Sequence, residues 1–375
     1  MSAKEPYLLT PGPLTTSAET KKAMLRDWGS RDEAFIEINA RIRRHLVAIA
    51  GGEGSHVCVP LQGSGTFIVE AALGTLIKRS DKALVLINGA YGRRMARILD
   101  YLGRAYITVE TPEDTPSDPA DIDAALAADP SLSHVLAVHC ETTSGILNPI
   151  REIAATTAKR DRSLIIDAMS SFGGIPFDIR QIPCTAVLAS SGKCLEGAPG
   201  FGFAIIREAA LAACRGNSHS LSLDLYDQWT AMEATGQWRF TPPTHVIAAF
   251  DAALTQFEAE GGVAGRNARY VNNCRILVRG MRAIGFETLL ADDVQAPIIV
   301  TFHTPADPRF HFETFYGSLN RSGYVIYPGK LTKADSFRIG CIGQLDEARI
   351  NGALKAVRKT LKSMGVRNAG PRASS

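Results

Sequence analysis

Several large classes of protein are excluded by what this 375-residue sequence lacks. Its seven cysteines (Cys58, Cys140, Cys184, Cys194, Cys214, Cys274 and Cys341) are scattered, odd in number and without a C-x-x-C pair. That usage speaks against a disulfide framework and against a structural zinc site, so no metal ligands are expected, and it fits a reducing compartment. No apolar run approaches the roughly 20 residues of a membrane span. The opening MSAKEPYLLTPGPL lacks the charged-then-apolar pattern of a signal peptide. Charge of neither sign dominates: 41 Lys and Arg against 38 Asp and Glu leave +3, too near balance for a nucleic-acid or anionic-membrane partner. There is no internal repeat, and no low-complexity segment beyond the polar GVRNAGPRASS end, whose residues 366–375 are expected to form a disordered tail. A cytoplasmic globular protein is the expectation. At 45% hydrophobic the chain has ample material for a sizeable core, and its length fits two domains.

The opening TPGPL, Thr10 to Leu14, is expected to be extended and turned, because each proline biases its predecessor away from helix. Helices follow over about 18–27 and 31–50. From there strand and helix alternate: HVCVPL, the turn QGSGT, then FIVEAALGTLIKR; KALVLIN, then GAYGRRMARILDYLG; and the short strands HVLAVHCE, SLIIDAM and TAVLAS. These strands are almost continuously apolar, the mark of a mostly parallel sheet covered on both faces by helices. After Thr241 the texture changes to a compact α+β unit. The expected organisation is an N-terminal arm (1–20), a large α/β domain (21–250), a smaller C-terminal α+β domain (251–365) and the tail.

Three features close successive strands. Ser64-Gly65-Thr66 lies between strand and helix, where free backbone N–H groups suit a phosphate; it equally fits a tight turn with a helix cap. It has neither the spacing of a nucleotide-triphosphate loop nor the full G-x-G-x-x-G fingerprint. Asp167 ends SLIID at the sheet edge where such folds place ligands, or else caps the turn that follows. Lys193, in SSGKCLEGAPGFGF, reads as a solvated loop residue or as an amine reaching into a cleft. Taken together they match what pyridoxal phosphate needs: an anion cradle for the phosphate, a carboxylate for the pyridinium nitrogen and a lysine for the aldehyde.

PLQGSGTF, HCETTSGILNP, LIIDAMSSFGG, SSGKCLEGAPGFGF, RFTPPTH and FRIGCIG, in this order, resemble the class V aminotransferases of fold type I. Within that family the chain is most similar to the 2-aminoethylphosphonate–pyruvate aminotransferases, and less so to the alanine–glyoxylate and serine–pyruvate enzymes. The resemblance runs from Thr10 to about Lys362. It implies a mostly parallel seven-stranded sheet flanked by helices, pyridoxal phosphate as cofactor, and ping-pong transfer between an amine donor and a keto acid in a homodimer with sites at the interface. It places Ser64, Gly65 and Thr66 at the cofactor phosphate, Asp167 at the ring nitrogen, Lys193 at the aldehyde, and Thr142 (or Thr143, by a shift of one) at the ring. Tyr91 falls where members carry an aromatic near that ring, or is a packing residue. Thr241, before Pro242 and Pro243, matches a segment reaching the partner subunit's phosphate. Arg338 matches the arginine that holds the substrate's acidic group, and Arg31 is a candidate second cation, or a surface residue in a local ion pair. Two positions depart from the pattern, Gly192 and Cys341, where the aminoethylphosphonate enzymes often have Asn; either is neutral or marks another donor, such as a hydroxylated aminoethylphosphonate, an amino acid or taurine. A cysteine desulfurase is disfavoured because Cys341 sits in a strand rather than a mobile loop. A silent cofactor-binding regulator would not need Lys193, Asp167 and Arg338 together.

Overall fold

The computed structural model describes residues 5–330 and 334–371. Its centre is a seven-stranded sheet formed by β1 (His56–Gln62), β2 (Lys82–Ile87), β3 (Ala105–Glu110), β4 (Leu132–Val138), β5 (Ser163–Asp167), β6 (Ala186–Ser190) and β7 (Phe201–Arg207). The order is β1-β7-β6-β5-β4-β2-β3, and β7 alone runs antiparallel to its neighbours. Alternate residues of one strand enter two different cores: Leu84 and Leu86 join one cluster, Val85 and Ile87 the other. Leu164 and Ile166 divide from Ile165 in the same way. The period of two along a strand requires this, and it explains why the strands read as unbroken apolar runs.

Two helices rise directly from this sheet, α1 (Gly65–Leu76) after β1 and α2 (Ala90–Leu102) after β2. A second unit follows, joined by α3 (Thr244–Ala259) and α4 (Gly262–Arg282). Between them Gly261 (φ +97°) and Gly262 (φ +63°) both take left-handed backbone, which breaks the helix cleanly. The expected division after residue 250 falls inside α3. That helix buries Ile247 and Phe250 before this point, and Leu254 and Phe257 after it, in the same large-domain core. The helix thus packs on that core up to the Gly261–Gly262 turn.

The smaller unit carries a three-stranded antiparallel sheet in the order β8 (Ile299–His303), β10 (Ser336–Gly340), β9 (Tyr327–Pro328), closed by α5 (Glu347–Met364). Phe286, Phe302, Phe315 and Phe337 fill its core. The N-terminal segment belongs here too: Tyr7–Leu8 pairs in parallel with Tyr324–Val325, and Leu9 is fully buried in this core. Residues 366–371, expected as part of a disordered tail, instead pack on the unit. Ala369 is buried, and the Arg367 N–H donates to Asp307 Oδ2 at 2.9 Å. Residues 372–375 lie outside the described part of the chain.

Candidate active site

The loops that leave β1, β2, β4, β5 and β6 emerge at one edge of the sheet, the carboxyl edge, and their side chains converge. Ser64, Gly65, Thr66, Tyr91, Asp167 and Lys193 line one cleft of about 180 Å³. The Ser64 hydroxyl makes no capping hydrogen bond, so the helix-cap reading of this turn does not hold. The first amides of α1 have no acceptor within the helix, as at any helix start, and this end carries the positive pole of the helix dipole. A Cβ on Gly65 would meet the Met169 sulfur at 2.6 Å, so a side chain there would have to displace that thioether.

Asp167 ends β5 in a buried position. Its Oδ1 accepts the Met169 N–H at 2.9 Å, while Oδ2 has no hydrogen bond among the described residues. Burial pushes its carboxyl up to about 6, and the Met169 N–H pulls the other way. The raised value sets a sign for stability. Relative to the unfolded carboxyl at 3.8, folding favours the protonated acid, so stability is lost as pH rises from there through about 6. The difference of about two pKa units is worth roughly 3 kcal/mol at most. Cofactor-free Asp167→Asn is therefore expected to melt several degrees above the cofactor-free wild type at pH 7.5, the gap closing near pH 4, by calorimetry.

Lys193 stands in the turn after β6, and its Nζ donates to the Pro11 carbonyl at 2.5 Å. Gly12 (φ +123°) lies so close that a Cβ there would meet Nζ at 2.6 Å. Burial lowers the Lys193 pKa, opposed by the nearby Tyr91 and Asp167. The loop is pinned from behind by the buried Glu196, which accepts hydrogen bonds from Tyr270 Oη (2.6 Å), Arg269 Nη2 (2.8 Å) and Gln344 Nε2 (2.7 Å). The lysine's position is thus tied to the smaller unit.

The two threonines that the sequence leaves open are distinguished by their partners. Thr143 Oγ1 is committed, donating to Glu141 Oε1 at 2.6 Å and accepting the Ala90 N–H at 2.9 Å. Thr142 Oγ1 is buried facing the Tyr91 phenol, which it favours in its ionised form, and among the described residues it has no other partner. A carboxylate oxygen left open, free helix-start amides and a lysine amine around one cleft, with the Thr142 hydroxyl behind Tyr91, fit pyridoxal phosphate.

Arg338, on β10, is 6% exposed. Its Nη1 donates to the Thr142 carbonyl at 2.8 Å and its Nε to the Pro328 carbonyl at 3.1 Å. Among the described residues no carboxylate forms an ion pair with it, and burial lowers its pKa. Arg31 and Thr241 are not brought here: both are exposed, Arg31 in the turn before the helix Glu33–Ala50 and Thr241 ahead of α3, and neither lines the cleft. A Cβ on Gly192 would lie 3.1 Å from Pro199 Cα, and Cys341 is fully buried in the smaller unit's core beside Cys274.

Three participants escape the sequence reading. Arg94 lines the cleft, donates to Thr66 Oγ1 at 3.1 Å and stacks 4.8 Å from the Tyr91 ring centre; its i+3 spacing from Tyr91 on one helix was the available signal. Glu141, fully buried, accepts the Tyr91 and Gly92 N–H groups at the start of α2. Burial raises its pKa, against the Thr143 hydroxyl and backbone N–H donors. Pro11 meets Lys193 across the whole large domain, a contact with no local signal.

Comparison with known proteins agrees with this arrangement. The family model for aminotransferase class V matches residues 18–331. A 2-aminoethylphosphonate–pyruvate transaminase of Burkholderia lata is 56% identical over 372 residues, covering 99% of each chain. One from Pseudomonas aeruginosa is 54% identical over 363 residues, covering 97% of this chain and 98% of that one. Among solved structures, pyridoxamine–pyruvate aminotransferase of Mesorhizobium loti superposes with a TM-score of 0.89 at 24% identity, covering 98% of this chain and 95% of that one, a likeness of fold. The chain belongs to the class V aminotransferases, enzymes that depend on pyridoxal phosphate.

Proposed function

We propose that this chain moves the amino group of 2-aminoethylphosphonate to pyruvate, giving phosphonoacetaldehyde and alanine, a step of phosphonate breakdown. The observation that carries the reading is Arg338, a buried guanidinium that no carboxylate pairs among the described residues, bonded to the Thr142 carbonyl and within electrostatic reach of Tyr91, which lines the cleft of Lys193 and Asp167. A buried unpaired charge costs stability, and an acidic substrate group would supply the missing anion. The phosphonate is supported by the names of relatives more than half identical along nearly the whole chain.

Ser64, Thr66 and the first amides of α1 would hold the cofactor phosphate, Asp167 the ring nitrogen, and Tyr91 and Thr142 would flank the ring. Bound there, pyridoxal phosphate supplies an aldehyde that takes the donor's amine and a ring that accepts the electron pair of the breaking C–H bond. Asp167 keeps a proton on the ring nitrogen. Lys193 Nζ, whose lowered pKa suits a base, carries the proton off the donor's amino-bearing carbon and returns one to the acceptor's carbon in the second half-reaction. Arg338 holds the acidic end so that the amine faces Lys193. In Asp167→Asn, turnover is expected to fall about a hundredfold or more while the phosphate cradle still retains the cofactor, read by rate against equilibrium dialysis.

The proposal includes a homodimer with sites at the interface. Thr241, exposed and off its own chain's cleft, is assigned to the partner's site. Phe67 (52% exposed), on the first turn of α1, and Phe240 (48% exposed), next to Thr241, leave apolar surface for a second copy to cover. No helix among the described residues is long and apolar enough to cross a membrane. Seven free, buried cysteines support a cytoplasmic setting. The test is product analysis: alanine and phosphonoacetaldehyde formed one to one from aminoethylphosphonate and pyruvate. Turnover of alanine and glyoxylate alone would instead assign the alanine–glyoxylate activity, and protein that stays colourless with added cofactor would leave a non-enzymatic role.

A further inference from the structure

A phosphonate poses a problem that Arg338 alone does not solve. It carries up to two negative charges on three oxygens, where a carboxylate carries one on two. Arg338 brings one positive charge, and of the five N–H donors of a guanidinium two are committed to the Thr142 and Pro328 carbonyls, leaving three. The ribbon that carries it brings a second cation. In the β9–β10 pairing Tyr327 lies opposite Arg338 and Pro328 opposite Phe337. The ladder continues through the Gly329 N–H, which donates to the Ser336 carbonyl at 2.9 Å. The next residue is Lys330. Its Nζ stands 4.2 Å from the centre of the Tyr91 ring, and Tyr91 lines the cleft.

Tyr91 is the common neighbour. Burial pushes its phenol up, but Lys193, the Thr142 hydroxyl and Lys330 together bring the net shift down; the same phenol also acts electrostatically on Arg338. Among the described residues no carboxylate forms an ion pair with Arg338 or Lys330, although Glu141 acts electrostatically on Arg338. Both oxygens of Glu141 are held by N–H groups and the Thr143 hydroxyl. Asp167 lies at the floor of the cleft, bonded to Met169. Lys330 has neither an ion pair nor a hydrogen bond among the described residues, and Arg31, the second cation expected from sequence, is away from the cleft.

We propose that Lys330 is the second cation of the acid-binding end, taking the additional charge and oxygen of a phosphonate beside Arg338 and so selecting phosphonate over carboxylate donors. The inference rests on the phosphonate–pyruvate reading. A lysine suits this place because it acts as a point charge and does not demand the planar fork of a guanidinium.

The test uses the holoenzyme with two competitive inhibitors of equal length, ethylphosphonate and propanoate, against aminoethylphosphonate as donor, in the wild type, Lys330→Met and Lys330→Arg. Methionine keeps an apolar stem against Tyr91 and removes only the charge. In Lys330→Met, kcat/KM for aminoethylphosphonate and the affinity for ethylphosphonate are expected to fall about 30-fold, the scale of one charged hydrogen bond, while propanoate changes less than about threefold. Lys330→Arg is expected to restore most of the loss. Equal losses for both inhibitors, or a Lys330→Met enzyme with the wild-type preference, overturn the inference while leaving the phosphonate reading in place. A wild type that does not turn over aminoethylphosphonate overturns both.

Discussion

Replacing Lys193 with alanine is expected to lower transamination by at least about 10⁴-fold, the scale of losing a covalent anchor and a general base in one side chain. The cleft offers no substitute. Lys330 and Arg94 lean on Tyr91, and Arg94 is further tied to Thr66, whereas only Lys193 lies on the turn after β6 and has an amine whose pKa burial lowers. The variant should still fold, because the lysine contributes one hydrogen bond, to Pro11, and the loop keeps its Glu196 anchors. Two readouts separate chemistry from damage. The melting temperature should change little, and a small primary amine added to the variant should restore part of the rate by supplying the base. A variant within a hundredfold of wild type would remove Lys193 from the proposed role.

Arg338→Ala is expected to cost about 10³-fold in kcat/KM for aminoethylphosphonate, as expected when a buried charge pair loses one partner. The loss should appear mainly in KM, since the contact binds the acid without taking part in proton transfer. Arg338→Lys should recover little. An ammonium cannot at once reach the Pro328 and Thr142 carbonyls and present two parallel donors. Stability should move differently. The guanidinium is buried without a carboxylate, so Arg338→Met, which fills the space and removes the charge, is expected to match or exceed the wild type in melting temperature without substrate. A large loss of stability with unchanged KM would make Arg338 structural.

The parts of this site that were legible in the sequence are those written locally. Strands buried on both faces must be apolar at every position, so β2, β4, β5 and β6 stood out, and with them the residues that close them. The mostly parallel seven-stranded sheet followed from the family resemblance built on those same segments. What stayed hidden is carried by distant pairs. The contact of Pro11 with Lys193 and the hold of Arg269 and Gln344 on Glu196 join segments that no periodicity relates. Thr142 and Thr143 are indistinguishable as neighbours in CETTS; only the hydrogen bonds of Glu141 separate them. The expected division after 250 falls inside a helix because an amphipathic pattern marks a helix and not the core that receives it. Arg31 and Thr241 lie off the cleft of their own chain, a placement set by how distant segments pack and carried by no local pattern.

The central claim, that this cleft runs a phosphonate–pyruvate exchange, is tested most directly by half-reactions on the purified holoenzyme without keto acid. The visible absorbance of the bound cofactor is followed as aminoethylphosphonate, alanine or taurine is added separately. The account predicts loss of the band with aminoethylphosphonate and with alanine, no change with taurine, and recovery on adding pyruvate. Loss with alanine alone would keep the aminotransferase and contradict the phosphonate.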